Sequence, residues 1–240
     1  MTWRIFHKAV TGSTNHDARG GKAGDVFSAD FQTAGRGRLD HKWLSRRGEN
    51  LMMSAVVDVS GLAPEHVATF PLVVGLSVCE AVSDFLPPDL DEVAQIKWPN
   101  DVLVHKRKIA GILCELDGNR IIAGVGVNVR EKDFPVEIAD RATSLAMLGA
   151  RDPSVEKVRN AVLKRLGENA ERWRESGFEA VLPQIRAHDC LKGREVLVMR
   201  ADGDEAPAKG ICGGIADDGS LLVADGRVCA GEAHVCSFSP

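Results

Sequence analysis

The chain has 240 residues, 44% hydrophobic and 27% charged, a composition that excludes a mainly disordered or fibrous protein. Thirty Lys and Arg against 34 Asp and Glu give a net charge of −4, so no global basic field draws in nucleic acid and any phosphate chemistry must be local. The longest apolar stretch without a formal charge, 67–79, is 13 residues long and contains Pro71, short of the ~20 residues a bilayer span needs. The first residues carry no apolar run of signal length, and the chain reads as cytoplasmic.

In chain order, residues 3–10 read as a strand, and Gly12-Ser13-Thr14-Asn15 supplies a turn whose side chains suit a helix start, with a short helix to about residue 19. Runs 25–33 and 51–59 are β-rich. Between them lies a 17-residue segment, 34–50, full of Gly and Arg, longer than a compact domain carries without a purpose. Residues 64–86 are apolar all round and predict one long buried helix, with Pro71 near its first turns or at a kink. Strands follow at 94–98, 102–104, 109–116 and 120–129, with Asp117-Gly118-Asn119 turning the last pair. Spacings of three and four among Val155, Val158, Val162, Leu166, Ala170 and Trp173 predict a helix over 154–175. From 193 onward short β-rich runs punctuated by Gly and Asp-Gly turns predict a small barrel, and a boundary falls near 189. The six cysteines form no C-x-x-C pair, so neither a disulfide framework nor a zinc knuckle is expected.

Three constellations carry chemistry. The loop Gln32-Thr33-Ala34-Gly35-Arg36-Gly37-Arg38, continuing to Lys42 and Trp43, combines glycines that let backbone N–H groups approach an anion with guanidinium forks that match phosphate or carboxylate. Taken alone it is equally a solvated basic loop. Lys97-Trp98-Pro99-Asn100-Asp101 ends one strand, and Arg107-Lys108-Ile109-Ala110-Gly111 begins another, so Lys97 and Lys108 flank one hairpin. Lys108 is placed to neutralise an anion at the sheet rim, and Asp101 to hold Mg²⁺ beside a nucleotide; the plainer reading is an edge lysine and a turn. Gly124-Val125-Gly126-Val127-Asn128 ends an apolar strand with glycines and an amide, where a ligand can approach the backbone.

Together, GSTN, QTAGRGR followed by Trp43, GENLMMS, KWPNDV, RKIAGIL and GVGVN resemble biotin protein ligases over residues 1–190. The resemblance implies an α+β fold: a mixed, largely antiparallel sheet with helices, the class II synthetase-like catalytic domain of biotin ligases, over 1–188, and a small SH3-like β-barrel over 189–240. It implies activation of biotin by ATP to biotinyl-5′-AMP, assisted by Mg²⁺, then transfer to a lysine of a biotin carboxyl carrier protein domain. Ser13, Thr14, Asn15, Gln32 and Gly111 become biotin contacts, with Arg36, Gly37, Arg38 and Lys108 shared between biotin and adenylate. Trp43 and Asn128 join the adenylate side. Lys108, Arg36 and Lys97 become the catalytic cations, and Asp101 and Asn100 the Mg²⁺ residues. The chain starts at the catalytic region, so no DNA-binding domain is expected; neither is a membrane partner, while a homodimer through a sheet edge is compatible with the family. Leu39-Asp40-His41 departs from the family's usual Gly and basic residue at that point of the loop. A lipoate-type ligase on the same fold, or a non-enzymatic phosphate or nucleic-acid binding module, stands as the alternative.

Overall fold

The computed structural model describes residues 1–38, 41–90, 93–200, 206–224 and 226–236. Leu39 and Asp40, on which the loop departure rests, lie outside them.

Seven strands form the large sheet: β1 (Arg4–Lys8), β2 (Asp25–Ala29), β3 (Asn50–Asp58), β4 (Gln95–Lys97), β5 (Asp101–Val104), β6 (Arg107–Asp117) and β7 (Arg120–Asn128). Their order is β1-β2-β3-β7-β6-β5-β4. Only β1 and β2 run parallel; the other pairs are antiparallel. The sheet is therefore mixed and largely antiparallel, as the sequence implied. Its register decides where function can sit. Asn50, Met52 and Ser54 of β3 stand opposite Asn128, Gly126 and Gly124 of β7, and the latter two glycines stand opposite Gly111 and Leu113 of β6. Alternation in the pleat puts these residues, with Glu115, on one face. The other face carries Ala55, Val57, Ala110, Ile112, Ala123, Val125 and Val127, all buried in the main apolar core.

That core is closed by α3 (Phe70–Ser83) and α4 (Val155–Ser176), which pack on each other and on the sheet. Ser154 caps α4, its side chain accepting from Lys157 N. The single helix expected over 64–86 is in fact two, α2 (Pro64–Ala68) and α3, with Thr69 between them. Proline lacks an N–H and is tolerated only in a first turn, so Pro71 restarts the helix. The Thr69 hydroxyl donates to His66 O at 2.7 Å and accepts from Trp173 Nε1 at 2.9 Å, fixing the joint. By length and composition Pro64–Ser83 passes as a membrane span, which the 13-residue count of uncharged residues missed; 67% of its most apolar window is buried inside the fold.

The opposite face is covered by α1 (Thr14–Ala18), whose Ala18 packs with Val56, Ile122 and Phe27 in a small separate cluster, and by the segment 31–46. A helix that sequence reading did not foresee, α5 (Leu182–Ala187), follows a 3-10 turn at Phe178–Ala180. The chain then pairs His188 and Cys190 with Ile96 at the β4 edge (2.7 and 3.0 Å) before entering a second sheet. This sheet is antiparallel, with β8 (Glu195–Arg200), β9 (Ala208–Ile215), β10 (Leu221–Val223), β11 (Gly226–Val228) and β12 (Gly231–Val235) in the order β11-β10-β9-β8-β12. Its buried residues Val196, Val198, Ile215 and Leu221 belong to the same apolar core as the large sheet.

Candidate active site

A cavity of about 580 Å³ lies on the helix α1 face of the large sheet, and all fourteen residues singled out from the sequence line it. A larger, open groove of about 1140 Å³ adjoins it along the outer side of the 31–46 segment.

One end of the cavity is a small polar network. Thr14 N and Oγ1 both donate to Gln32 Oε1, at 2.7 and 3.1 Å, so the Gln32 amide oxygen is fully engaged. Asn15 is held at both ends. Its Nδ2 donates to Leu113 O (3.2 Å) and Glu115 Oε2 (2.6 Å), and its Oδ1 lies 2.6 Å from the Ser54 hydroxyl. Ser13, Thr14, Asn15 and Ser54 are all buried. The amide fits only because Gly124 has no side chain: a Cβ there would lie 2.9 Å from Leu113 O and overlap the Asn15 amide.

The middle of the cavity is cationic. Lys108 Nζ lies 2.7 Å from Asp101 Oδ1 and 5.9 Å from the centroid of the Trp43 ring. Simple alternation would put Lys108 and Gly111 on opposite faces. Asp101 pairs with Gly111 and Val102 with Ala110, but Leu103 pairs with Lys108, leaving Ile109 as an extra residue. This bulge turns Lys108 onto the cavity face beside Asp101. The backbone of Lys108 is gripped in turn by the strap at 141–143, through Lys108 N to Arg141 O at 2.8 Å and Thr143 N to Lys108 O at 2.9 Å. Asn100 Nδ2 donates to Ile112 O (3.0 Å) and so shapes the turn before Asp101. Lys97 is half-buried at the end of β4, opposite Asp101 in the hairpin register.

The Arg-rich segment is folded back on itself rather than open. Gly37 N donates to His41 O (2.6 Å) and Trp43 N to Gly35 O (3.1 Å). The Trp43 indole lies on the glycines of β6 and β7: a Cβ at Gly126 would come within 2.5 Å of Trp43 Cε2, and one at Gly111 within 3.1 Å of Cζ3. Arg36 reaches Glu115 at 3.1 Å. Arg38 reaches across to the second sheet and donates to Gly231 O at 3.2 Å. Burial lowers the Arg38 pKa from its ordinary value, and Asp101 and Glu232 act in the opposite direction. At the far end of the segment Arg46 meets the buried carboxylate of Glu131 at 3.2 Å, and Asn50 Nδ2 donates to the same carboxylate. Asn128 is fixed by its Nδ2 donating to Thr143 O.

Several participants escaped the sequence reading. Glu115 and Ser54 hide inside apolar strands, and the even spacing of Glu115 from Gly111, which puts both on one face of the strand, was the signal available for Glu115. Glu131 follows β7 in what reads as an ordinary polar loop. Glu232 and His234 enter the cavity from the second sheet, which no local pattern announces. Cys190 also lines the cavity, but burial pushes its thiol pKa up to about 12, so it is no nucleophile at neutral pH.

Residues 10–130 match the biotin/lipoate A/B protein ligase family. The chain is 33% identical over 221 residues to the biotin–[acetyl-CoA-carboxylase] ligase of Mycobacterium tuberculosis, covering 90% of this chain and 81% of that one. To the bifunctional ligase/repressor BirA of Bacillus subtilis it is 33% identical over 153 residues, 59% of this chain and 46% of that protein, so it matches about half the length of that relative. Its fold is similar to a biotin protein ligase from Aquifex aeolicus solved in complex with biotin and ATP, with a TM-score of 0.83, 31% identity and coverage of 96% and 97% of the two chains. With half of its length matched and a third of its residues shared with a bacterial ligase across most of both chains, this chain belongs to the biotin/lipoate A/B protein ligase family.

Proposed function

We propose that the chain is an ATP-dependent biotin protein ligase. It joins biotin to ATP as biotinyl-5′-AMP and transfers the biotinyl group to a lysine of a biotin carboxyl carrier protein domain. The observation that carries this reading is the layout of one cavity, with a buried amide and hydroxyl network at one end and Lys108 in its middle. Gln32 Oε1 is engaged by Thr14, so its Nε2 is the group left to donate to a ligand, while Asn15 Oδ1 and the Ser13 and Thr14 hydroxyls offer acceptors. A cyclic urea, with one acceptor carbonyl and two N–H donors, is complementary to that set.

In the first step a biotin carboxylate oxygen attacks the α-phosphorus of ATP, the bond from that phosphorus to the bridging oxygen breaks, and pyrophosphate leaves. Two anions must meet, and the fixed cations offset their repulsion. Lys108 stands where carboxylate and α-phosphate come together, with Lys97 and Arg38 as flanking charges. Gly37 and Arg38 cover the adenylate, which rests against Trp43 with Asn128 at its edge. In the second step the carrier amine attacks the acyl carbon, AMP leaves with the electron pair of the broken C–O bond, and the amine proton passes to solvent. No covalent enzyme intermediate is needed.

Among the described residues no three His, Cys, Asp or Glu side chains gather as a cation cage. Mg²⁺ is commonly held by one or two carboxylates plus substrate phosphates and water, and Asp101 beside Lys108 suits that role, with Asn100 shaping the turn. Mg²⁺ bound there supplies positive charge to the phosphates. We assign residues 1–188 to catalysis and 189–240 to an SH3-like supporting domain, working in the cytoplasm. For a homodimer, the surface we assign is the free edge of β1, where Ile5 and Phe6 are 42% and 48% exposed.

A pyrophosphate-exchange assay with biotin, with lipoate and with no acid tests the reading. Exchange that depends on biotin is expected; exchange driven by lipoate instead would replace this reading with the lipoate-type one.

A further inference from the structure

Glu115 sits on the cavity face of β6 and lines the outer groove rather than the cavity, beneath Asn15 and beside the Arg-rich segment. Its carboxylate is 2.6 Å from Asn15 Nδ2, 3.1 and 3.3 Å from Arg36 Nη2, and 3.5 Å from Arg19 Nη2. We infer that Glu115 is a positioning residue of the ligase site, holding the Asn15 amide in one orientation and tethering the 34–47 segment through Arg36. The inference rests on the ligase reading only for the identity of the ligand that Asn15 meets.

Two physical arguments support it. An ionised carboxylate accepts and never donates, so it admits the NH₂ end of the Asn15 amide and rejects the oxygen end. With Nδ2 committed to Glu115 and Leu113 O, the oxygen end must face Ser54 and the cavity, and the acceptor that a urea N–H needs is set in advance. Glycine at 124 leaves that amide room but no restraint, so the orientation comes from Glu115 and Ser54. The second argument concerns Arg36. It pairs with Glu115 and so anchors the start of the segment, while Arg46 pairs with Glu131 at the far end and Arg38 donates to Gly231 O of the second sheet. One acid thereby links the ring-binding end of the cavity to the start of the covering loop.

The test compares E115Q, E115A, R36A, R19A and the double variant E115Q/R36A. Hydrogen–deuterium exchange of the 34–47 peptide is read in the unliganded chain, and biotin affinity by calorimetry. Because Arg36 is half-exposed, E115Q should speed exchange of the loop only about fivefold, the worth of one partly screened ion pair. R36A should do the same, and the double variant should add nothing further. E115Q keeps an oxygen that can accept from Asn15, so biotin affinity should stay within about twofold, whereas E115A should weaken it roughly tenfold by freeing the amide. R19A should behave as the parent chain. Unchanged loop exchange in E115Q, additivity in the double variant, an R19A effect equal to that of R36A, or equal biotin affinities in E115Q and E115A would each overturn the inference. Should E115A fail to fold, E115Q, which preserves size, and R36A still decide the tether, and N15D, which places an oxygen where the NH₂ stood, decides the orientation: biotin affinity unchanged in N15D overturns it. A parent chain without biotin-dependent pyrophosphate exchange would instead sink the ligase reading and leave the loop result standing.

Discussion

The Lys108 ammonium lies 2.7 Å from the Asp101 carboxylate on the face of the sheet that carries the cavity. Asp101 is there by alternation, opposite Gly111, but Lys108 is not: the extra residue Ile109 in β6 turns it over to join Asp101. On the proposed reading the pair would keep a cation at the reacting position balanced before the substrates arrive, and the incoming anions would take over from Asp101 as the partners of Lys108.

Replacing Lys108 by Met keeps the stem and removes that charge. Loss of one electrostatic contact to a transition state costs about 3–4 kcal/mol, so biotin-dependent pyrophosphate exchange should fall roughly 10²- to 10³-fold. The Asp101 carboxylate, 19% exposed, would lose its partner, which costs on the order of 1 kcal/mol of stability and leaves the chain folded. Circular dichroism checks the fold, and exchange at the parent rate in folded K108M would reject the assignment.

Gly126 makes room for Trp43. Alanine there would place a Cβ 2.5 Å from the indole and push the ring off the sheet. Loss of an aromatic contact of this kind is worth about 0.5–1.5 kcal/mol, so G126A should raise the KM for ATP roughly 3- to 10-fold. Biotin affinity should change little, since the Ser13–Gln32 network is at the other end of the cavity. Steady-state kinetics and calorimetry together decide, and equal losses for both substrates would show that the indole is not confined to the nucleotide side.

Asp189 lies where the chain passes between the sheets, with one carboxylate oxygen buried and unpartnered. Burial raises its pKa, against hydrogen bonds from the Leu191 and Lys192 backbone and the charge of Lys192. A group whose folded pKa exceeds its unfolded one adds stability as pH falls through the folded value and loses that contribution as pH rises. The Tm of the parent chain minus that of D189N should therefore increase as pH falls from neutral toward the ordinary aspartate value of 3.8. Thermal melts at several pH values measure it, and a difference that shrinks toward acid would contradict the buried-carboxylate account.

Much of the site was legible in the chain because its residues come in short local motifs. Ser13, Thr14 and Asn15 are consecutive, Arg36 to Arg38 are consecutive, and Lys97 and Lys108 bracket one hairpin, so short motifs held the candidates and their resemblance to those of biotin protein ligases joined them into one site. Local pattern could not supply partners that are distant in sequence. Glu115 meets Asn15 across 100 positions and Arg36 across 79. The division of 64–86 into two helices was likewise hidden, because apolarity on all sides leaves no periodicity to break, and only Thr69 bonding to His66 and Trp173 marks the joint.

What the sequence by itself determined is the set of elements and the residue types at the site. Strand alternation, the Asp-Gly-Asn turn, the helix stripe and the glycines where a ligand or an indole must approach are all consequences of neighbours within a few positions, where backbone sterics and burial act directly. What only the tertiary structure decided is which of those residues face one another. The order β1-β2-β3-β7-β6-β5-β4, the bulge at Ile109 and the return of β12 to the cavity set Lys108 on Asp101, Trp43 on Gly126 and Arg38 on Gly231. Such pairings depend on packing between elements far apart in the chain, and a short stretch of sequence holds no trace of the partner it will meet.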